Sequence, residues 1–365
     1  MTDSLLFIAL YPAKNRLNEG FIQRIKEIDN LFSDCERIYL DIRFFSYFQK
    51  ESIRKENVTI FHFHYLFHFF SIIRLINKSS RIYIHSVYSG FRIFPHIFFS
   101  RMCKAKVCFE LHGTFEEELE YKGEKWNSRF FGWIERHLLR RAKMIVYVSR
   151  RFEKYYLQKY PFTMSAKRYV IPTCTSKVFE IFNSCKTKEI IERYEIAEND
   201  VVFVYAGSTE VWQKIDLMME IIQKLIINNK YKFFLLTGNV ENMIENATKF
   251  GIYPHKNLFI LTVAPEELGN YYEVSHYGFV LRDDHILNEV SSPTKFLEYL
   301  YFGITPILKS TKIGDFTSFD IDYISIENIE QEFKPKKSEK NKAVAREILE
   351  EYTKELQNLK RDFLE

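Results

Sequence analysis

The sequence contains 365 residues, of which 46% are hydrophobic and 27% are charged. This composition supports a large buried core and excludes a disordered chain, and the length favours two domains over one. No apolar stretch reaches the roughly 18 residues that a membrane-spanning helix needs. The N-terminus, MTDSLLFIALYPAKN, has no basic region before its apolar run, so we expect no signal peptide. The five cysteines form no CxxC pair, which indicates reduced thiols in a cytoplasmic protein.

Apolar runs alternate with longer amphipathic stretches along most of the chain. In the first half the runs that we predict as strands are SLLFIAL, RIYLDI, VTIFHFH, RIYIHS, KVCFELH and MIVYVS. In the second half they are VVFVYAG, KFFLLTG, LFILTV, YGFVLR and TPILKS. Between them come helical patterns such as those of residues 19–33, 124–141, 212–229, 241–250, 265–274 and 293–302. This repeated order of strand, helix and strand predicts an α/β protein with parallel sheets covered by helices on both faces.

The alternation occurs twice, which predicts two doubly wound domains. The change lies near residues 169–187, YVIPTCTSKVFEIFNSCKT, which are typical of a connecting loop. We therefore place the boundary at about residue 175, with one domain over 1–175 and a second over 176–335. The last segment, 336–365, is charged and has apolar residues at helical spacing, so it is predicted as a C-terminal helix. Ligands of such domains bind outside the carboxyl ends of parallel strands, so we expect a site in the turns that follow the strands, in a cleft that the domains share.

The net charge of +4 is unevenly distributed. Residues 1–175 contain 29 lysines and arginines against 17 acidic residues, whereas the remainder contains 23 against 31. Between Glu56 and Glu110 there is no acidic residue, and the interval holds seven basic residues, five histidines and many aromatic residues. This mixture fits an anionic membrane surface, nucleic acid, or the solvated face of an ordinary domain. Of these we predict peripheral membrane contact through residues 57–109, and no nucleic-acid partner.

The stretch SSPTKFLEYLYFG, between the strands YGFVLR and TPILKS, predicts a capped helix. Ser291 or Ser292 can cap it, and Pro293 suits its first position. Gly303 then ends it. One interpretation is an ordinary helix with a Lys–Glu pair on its surface. The other is a ligand site at the helix N-terminus.

The ligand interpretation depends on three residues of this helix. The N–H groups near Thr294 carry the positive end of the helix dipole, and Lys295 adds a full charge, so a phosphate or diphosphate would bind there. Glu298 lies on the same face, one turn further along. Its carboxylate can accept two hydrogen bonds at once, which suits the vicinal hydroxyls of a ribose.

Other strand ends provide further candidates for the same ligand. After VVFVYA, Gly207 allows close backbone approach and the Ser208 hydroxyl can bond a phosphate oxygen. Thr237 follows the next strand, and Val263 follows the one after it, where an apolar wall would hold a nucleobase.

These motifs, in this order, resemble those of bacterial glycosyltransferases of the GT-B fold, of the group-1 retaining type. SPTKFLEYLYFGITPI resembles the P-x-K-x-x-E-Y…G-x-P-I signature of that family, and VYAGSTEVWQKIDLM is similar to the start of its donor domain. Upstream, LNEGFIQRIKEID, FELHGTFEEELEYKG and IERHLLRRAKMIVYVSRRFEKYY resemble the acceptor-side half of relatives that build surface polysaccharides. The resemblance covers most of residues 1–310.

The resemblance implies two Rossmann-like domains, the second of which holds most of a nucleotide-sugar donor. Glu298 would bind the ribose, and the start of helix 293–302 would bind the diphosphate. Gly20 would leave room for the donor after the first strand, and His112 would lie near the donor sugar. The C-terminal helix would cross back to the first domain, and no metal or other cofactor is expected.

Two positions depart from the family pattern. Many relatives have two glutamates with seven residues between them; counting back from Glu298 reaches Val290, and Glu289 is one residue away. Relatives also often have an arginine and a lysine in the donor-domain turn, where this chain has Ser208 and, approximately, Gln213. The candidates for neutralising the diphosphate are Lys214, Lys295 and Arg282.

The sequence therefore predicts a cytoplasmic, nucleotide-sugar-dependent glycosyltransferase of surface-polysaccharide synthesis, peripheral at the inner face of the membrane. Its acceptor would be a glycan or a lipid-linked molecule, and retention of configuration follows from the resemblance. The predicted catalytic residues are His112, Lys295 and Glu289. The residues predicted to bind the donor are Gly20, Gly207, Ser208, Lys214, Thr237, Val263, Arg282, Ser292, Thr294 and Glu298. Two alternatives remain open: a nucleotide-sugar epimerase of similar fold, and a non-catalytic protein that binds membrane or nucleic acid.

Overall fold

The computed structural model describes residues 4–13, 20–174 and 184–365. The chain divides into two compact units, the first made of the chain up to Thr173 together with Glu351–Glu365, and the second of Cys174–Glu350. Residue 175, where the sequence places the domain boundary, lies outside the described residues, as does the middle of the predicted connector. Within the described residues, no helix combines the length and the apolarity that crossing a membrane requires.

The first unit is built on one sheet. Its described strands are β1 (Leu5–Ile8), β2 (Arg37–Arg43), β3 (Glu51–Lys55), β4 (Val58–His64), β5 (Arg81–Ile84), β6 (Lys106–Leu111), β7 (Met144–Tyr147) and β8 (Lys167–Val170). They lie in the order β3-β4-β2-β1-β5-β6-β7-β8, and every pair is parallel except β3 with β4. The strand order reverses between β1 and β5, so the carboxyl ends of these two strands flank a crevice suited to a ligand.

Helices connect the strands of this sheet. Those described are α1 (Gly20–Leu31), α2 (Phe69–Lys78), α3 (Val87–Phe91), α4 (Phe94–Phe99), α5 (Phe115–Tyr121), α6 (Lys125–Leu139) and α7 (Arg150–Lys159). The apolar face of α1 shows how the layers pack: Ile22, Ile25 and Ile28 are fully buried and share a core with Leu5 and Phe7 of β1. Their spacing of three residues places them on one side of the helix.

The second unit contains a six-stranded sheet. Its described strands are β9 (Val201–Ala206), β10 (Tyr231–Leu236), β11 (Leu258–Leu261), β12 (Tyr277–Val280), β13 (Thr305–Leu308) and β14 (Ile324–Ser325). Their order is β11-β10-β9-β12-β13-β14, and all pairs are parallel. All six residues of β9, VVFVYA, are buried, as expected for a parallel strand covered on both faces. The strand order reverses between β9 and β12.

The helices of the second unit follow the same alternation. They are α8 (Ser184–Arg193), α9 (Ile215–Leu225), α10 (Val240–Lys249), α11 (Leu268–Val274), α12 (Ile286–Glu289) and α13 (Thr294–Tyr301).

The last helix, α14 (Glu339–Leu364), contains 26 residues. From Glu351 onward it belongs to the first unit. Leu359 and Phe363 are fully buried in that unit's core. The Phe363 ring packs edge-on against Phe32 and Tyr83, with centroids 5.6 and 5.9 Å apart. The first unit is thus built from both ends of the chain.

The predicted α/β fold with two parallel sheets is confirmed, and each of the eleven predicted strands is present. Three strands, β3, β8 and β14, were not predicted. All five residues of β3, ESIRK, are exposed, so no apolar alternation marks that strand. β8 has four residues and overlaps the predicted connector, and β14 has two.

Candidate active site

The predicted donor-binding residues of the second unit collect at the carboxyl edge of its sheet. Gly207 directly follows β9 and Arg282 comes shortly after β12, so they flank the point where the strand order reverses. Lys295 and Glu298 belong to α13, which lies between β12 and β13 in the chain. This is the edge at which doubly wound sheets bind ligands.

Lys295 is buried, with its amine against an aromatic ring. Its Nζ lies 4.0 Å from the centroid of the Tyr205 ring, a cation–π contact. The same Nζ donates a hydrogen bond of 2.8 Å to Gln213 Oε1. Burial lowers the pKa of Lys295 well below its ordinary value, and the charge of Arg282 acts in the same direction. An anion bound beside Nζ would therefore favour the charged form of this amine.

Arg282 is a second buried cation at the same edge, only 8% exposed. Its Nη1 donates to Ser291 Oγ at 3.1 Å and lies 3.5 Å from Asn288 Oδ1. Its Nε is buried and has no hydrogen-bond partner among the described residues. Burial lowers the pKa of Arg282 to about 10. Buried basic side chains with an unused N–H are groups that commonly bind multiply charged anions.

Glu298 is buried one turn beyond Lys295. Its Oε2 accepts a hydrogen bond of 2.8 Å from the Tyr272 hydroxyl of α11. The Tyr272 carbonyl in turn accepts one of 2.7 Å from Lys337 Nζ. Because Lys295 and Glu298 are both buried, the alternative of a Lys–Glu pair on the protein surface is excluded. Tyr272 was not predicted, since a contact across 26 positions leaves no local pattern.

The predicted cap of this helix is wrong. The helix begins at Thr294, Pro293 occupies the N-cap position, and no side chain caps it. The Ser291 hydroxyl instead accepts from Arg282 and donates to the Asn288 carbonyl at 2.9 Å. The buried guanidinium competes for the serine that would otherwise cap, and the sequence pattern does not show that competition.

The turn after β9 brings backbone close to Lys295. Gly207 has a φ of +152°, and a Cβ there would lie 3.2 Å from Tyr205 Oη and 3.4 Å from Lys295 Nζ. The Tyr205 hydroxyl donates to the carbonyl of Ser208, whose own side chain is exposed. Glycine at this position therefore keeps the space beside the amine open.

Lys214 and Glu289 are both engaged in ion pairs. Lys214, in the left-handed conformation before α9, pairs with Asp283, which also pairs with Lys309. Glu289 Oε1 lies 3.8 Å from Lys312 Nζ. The Asp283 carboxylate is thus neutralised by two lysines.

The remaining predicted residues of this unit lie at the expected positions in the fold. Thr237 follows β10, is buried, and its hydroxyl accepts from the Asn239 N–H at 3.2 Å. Val263 is half-buried after β11. Ser292 and Thr294 are half-buried at the start of α13.

In the first unit, Gly20 begins α1 and His112 directly follows β6. The His112 ring contacts Phe21 edge-on at 5.4 Å and stacks on His85 at 6.1 Å between centroids. Its Nε2 is buried and has no hydrogen-bond partner among the described residues. Burial lowers the pKa of His112 to about 4, so the imidazole is neutral at pH 7.

A fully buried carboxylate, Glu110, lies behind His112 and was not predicted. It accepts from Arg24 Nε at 2.7 Å and from the Tyr83 hydroxyl at 2.8 Å, and it lies 2.9 Å from His85 Nδ1. Burial opposes its ionisation, but the pKa of Glu110 lies well below the ordinary value, chiefly because of the adjacent positive charge of Arg24. Potential ligand atoms of His85, Glu110 and His112 lie within 4.8 Å of one another, a spacing that a metal ion could use. Since Arg24 and Tyr83 already bond both carboxylate oxygens, the cluster better fits a hydrogen-bonded network.

A pocket of about 290 Å³ opens beside His112 at this edge of the first sheet. Its walls follow β5 and β6 and include the start of α5. The lining residues are Phe21, Ser86, Val87, Tyr88, Leu111, His112, Gly113, Phe115 and Glu118. A mostly apolar wall with a few polar groups is typical of a small-ligand site.

Two doubly wound sheets in separate units are the architecture of GT-B glycosyltransferases, and comparison with known proteins confirms that fold. Residues 13–176 match the model of Glycosyltransferase Family 4. The match covers less than half of the chain; together with the fold, it identifies the protein as a glycosyltransferase. The comparison with curated proteins gave no match.

Solved structures resemble the chain over nearly its whole length. HepE from Anabaena, in complex with UDP and glucose, is 10% identical, with a TM-score of 0.68 over 98% of this chain and 99% of that one. Sucrose-phosphate synthase from Thermosynechococcus elongatus is 10% identical, with a TM-score of 0.61 over 99% and 94%. Trehalose-6-phosphate synthase OtsA is 10% identical, with a TM-score of 0.64 over 100% and 98%. At these identities the likeness establishes the fold.

Proposed function

We propose that the protein transfers a sugar from a nucleoside-diphosphate sugar to a glycan or lipid-linked acceptor, in the synthesis of a bacterial surface polysaccharide and with retention of configuration. The observation that carries the proposal is the pair of buried cations, Lys295 and Arg282, at the strand edge where the second sheet reverses its order. The structures of HepE with UDP and with UDP-glucose support a donor of this class.

The residues of the second unit have distinct roles in this proposal. Lys295, Arg282 and the N-terminus of α13 bind the diphosphate, and Glu298, oriented by Tyr272, binds the ribose. When the sugar departs, negative charge grows on the diphosphate, and cations that are already in place stabilise it without reorganisation. Because these cations are buried, their field is screened less than it would be in water.

We further propose that transfer needs no metal ion. A metal ion in a glycosyltransferase would neutralise the leaving diphosphate. In this proposal Lys295 and Arg282 together supply the positive charge that does so. Asp283, the carboxylate next to Arg282 in the sequence, is already paired with Lys214 and Lys309.

In this proposal the acceptor binds the pocket beside His112.

We also propose that residues 57–109 contact the inner face of the membrane. The exposed apolar side chains of that segment are Leu66, Phe67, Phe70, Tyr88, Phe98 and Phe99. Among its cations, Arg92 pairs with Asp41 at 3.4 Å and Lys106 Nζ donates to the Asp362 carbonyl. Arg101 and Lys104 are exposed.

The donor site can be tested by thermal unfolding with UDP, GDP, CDP and dTDP, first without metal and then with magnesium. A nucleotide present at a hundred times its Kd stabilises by about 2.7 kcal/mol, which corresponds to a shift of roughly 5 to 10 °C for a unit of this size. We expect one nucleotide to shift the wild type without metal, and Glu298→Gln to lose the shift relative to its own unliganded Tm.

The matched control is Glu245→Gln, an exposed glutamate within α10, which should keep the full shift. If no nucleotide shifts the wild type, or if Glu298→Gln responds as strongly as Glu245→Gln, the proposed donor site is wrong. A shift that appears only with magnesium contradicts the metal-independent mechanism.

A further inference from the structure

Helix α6 presents an aromatic face to solvent. Trp126, Phe130 and Trp133, here named the aromatic stripe, are spaced four and three residues apart and therefore lie on one side of the helix. They are 84%, 46% and 47% exposed. The buried side of α6, which includes Ser128, Gly132, Glu135 and Leu139, is on the opposite side of the helix. The aromatic stripe is thus no part of the core.

Basic residues run beside this stripe. Lys125, Arg129, Arg136 and Arg140, here named the basic flank, are all exposed. At 100° per residue they fall on one side of the aromatic stripe, between it and the buried face. The single acidic residue within α6, Glu135, is buried. The solvent side of this helix is therefore aromatic and cationic at once.

The stripe continues onto the neighbouring helix. Phe94 of α4 packs edge-on against Trp133, with centroids 4.8 Å apart. Phe98 and Phe99, at the end of α4, are 48% and 69% exposed. Arg141 lies over the Phe98 ring, 5.3 Å from its centroid. The two helices together form one aromatic surface rimmed by cations.

Three of the four acidic residues of the preceding helix α5 are paired with lysines. Glu118 pairs with Lys122 at 2.7 Å. Glu116 and Glu117 both pair with Lys159, at 2.7 and 2.5 Å. These pairs reduce the repulsion that an anionic surface would meet near α6.

We propose that α6 binds the surface of an anionic lipid bilayer, with the aromatic stripe at the headgroup level and the basic flank against lipid phosphates. Tryptophan settles in the interface because its large apolar ring carries one polar N–H, and phenylalanine adds apolar area. Arginine is attracted to the negative surface potential. This inference deepens the membrane contact proposed above by assigning it to a helix outside residues 57–109, and it is independent of the donor site.

Fluorescence can test the contact directly, because two of the three tryptophans of the chain belong to the aromatic stripe. In a Trp212→Phe variant, emission reports only Trp126 and Trp133. We expect vesicles of phosphatidylcholine mixed with phosphatidylglycerol to shift this emission to shorter wavelength, and brominated acyl chains to quench it. Vesicles of phosphatidylcholine alone should do neither, and added salt should weaken the effect.

Co-sedimentation with the same vesicles tests the charges. The variant Lys125→Glu/Arg129→Glu/Arg136→Glu should bind anionic vesicles less tightly, by about fivefold or more for each reversed charge. The matched control reverses three exposed lysines of the second unit, Lys224, Lys230 and Lys249, and should bind as the wild type does. Stabilisation by nucleotide, measured on the same proteins, separates this inference from the donor site and shows that the variants are folded.

Three results would overturn the inference. The first is an unchanged Trp126 and Trp133 emission with anionic vesicles. The second is equal vesicle binding by the flank variant and its control. The third is an absence of lipid quenching together with another ligand for this surface. A dimer that Trp133→Ser dissociates would show that the surface binds a second copy of the chain. Single-stranded RNA binding that the flank variant loses would show that it binds nucleic acid.

Discussion

At the residue scale, Lys295 has an unusual environment for a charged side chain. Its amine lies against the Tyr205 ring and bonds the neutral amide of Gln213. Neither partner carries a full negative charge, and the Glu298 carboxylate only partly offsets the burial and the Arg282 charge that disfavour the charged form. This arrangement costs stability while the site is empty, and an anionic ligand would remove that cost.

Replacement of Gly207 tests the space beside this amine. In Gly207→Ala the new Cβ would crowd Tyr205 Oη and Lys295 Nζ, and an L residue is strained at this φ. We expect a loss of roughly 1 to 3 kcal/mol in the free energy of unfolding and a smaller nucleotide-induced thermal shift. Urea unfolding and the nucleotide panel measure the two effects.

Gly238→Ala is the matched control, since Gly238 also follows a strand and a Cβ there would meet no atom within 4 Å. Equal losses in the two variants would contradict the role given to Gly207.

The sequence predicted part of this site and not the rest, for a physical reason. Lys295 and Glu298 are three residues apart on one helix, so their common face follows from helix geometry alone. Tyr272 and Arg24 act through contacts across the fold, which no local pattern reveals. One contact did leave a signal in the sequence. Gly278 lies within a strand, and a glycine there suggests that another group packs closely against the backbone. In the structure that group is the Tyr299 ring, which would lie 2.4 Å from a Cβ at this position.

At the element scale, α6 carries a buried carboxylic acid on the side opposite its aromatic stripe. Glu135 accepts hydrogen bonds from the hydroxyls of Tyr156 and Tyr160, at 2.6 and 3.1 Å. Burial raises the pKa of Glu135 to about 7, although the charge of Lys159 opposes the shift. The folded protein therefore binds a proton here that the unfolded chain releases at lower pH.

This difference gives a pH dependence with a definite sign. Because the pKa is raised on folding, Glu135 makes the free energy of unfolding fall as pH rises from about 4.5 to about 7. In Glu135→Gln the contribution is absent, so the stability of wild type relative to this variant should drop by about 2 to 3 kcal/mol between pH 5 and pH 8. Urea unfolding at both pH values measures it.

Glu124→Gln, at an exposed glutamate just before the same helix, is the control. If the free energy of unfolding of Glu135→Gln depends on pH as strongly as that of the wild type and of Glu124→Gln, the raised pKa of Glu135 is contradicted.

Several elements followed from the sequence because burial imposed a pattern. The run VVFVYA became a fully buried central strand, and the predicted helix 124–141 became α6 with a shift of one or two residues at each end. The edge strand β3 has no buried residue, so hydrophobic periodicity does not mark it. The cap of α13 failed because Ser291 bonds a side chain from another strand end.

At the scale of the whole molecule, the end of α14 is part of the first unit's core. Phe363 is fully buried and contacts Phe32 and Tyr83. Phe363→Ala should lower the free energy of unfolding of that unit by about 3 to 5 kcal/mol, the usual cost of removing a buried phenylalanine ring. In the Trp212→Phe background, tryptophan emission during urea unfolding reports the first unit alone.

Gln357→Ala, at an exposed position of the same helix, should change that free energy little. A loss of under 1 kcal/mol in Phe363→Ala would show that the helix end does not support the core.

The place of Leu359 and Phe363 in that core bears on the order in which the protein acquires its structure during synthesis. Both residues leave the ribosome after the whole second unit, whereas Leu5 and Phe7, in the same core, emerge before it. Domains usually fold in the order of their synthesis, from the N-terminus. Here the core of the first unit can be complete only after α14 has been synthesised, by which time the whole second unit has emerged.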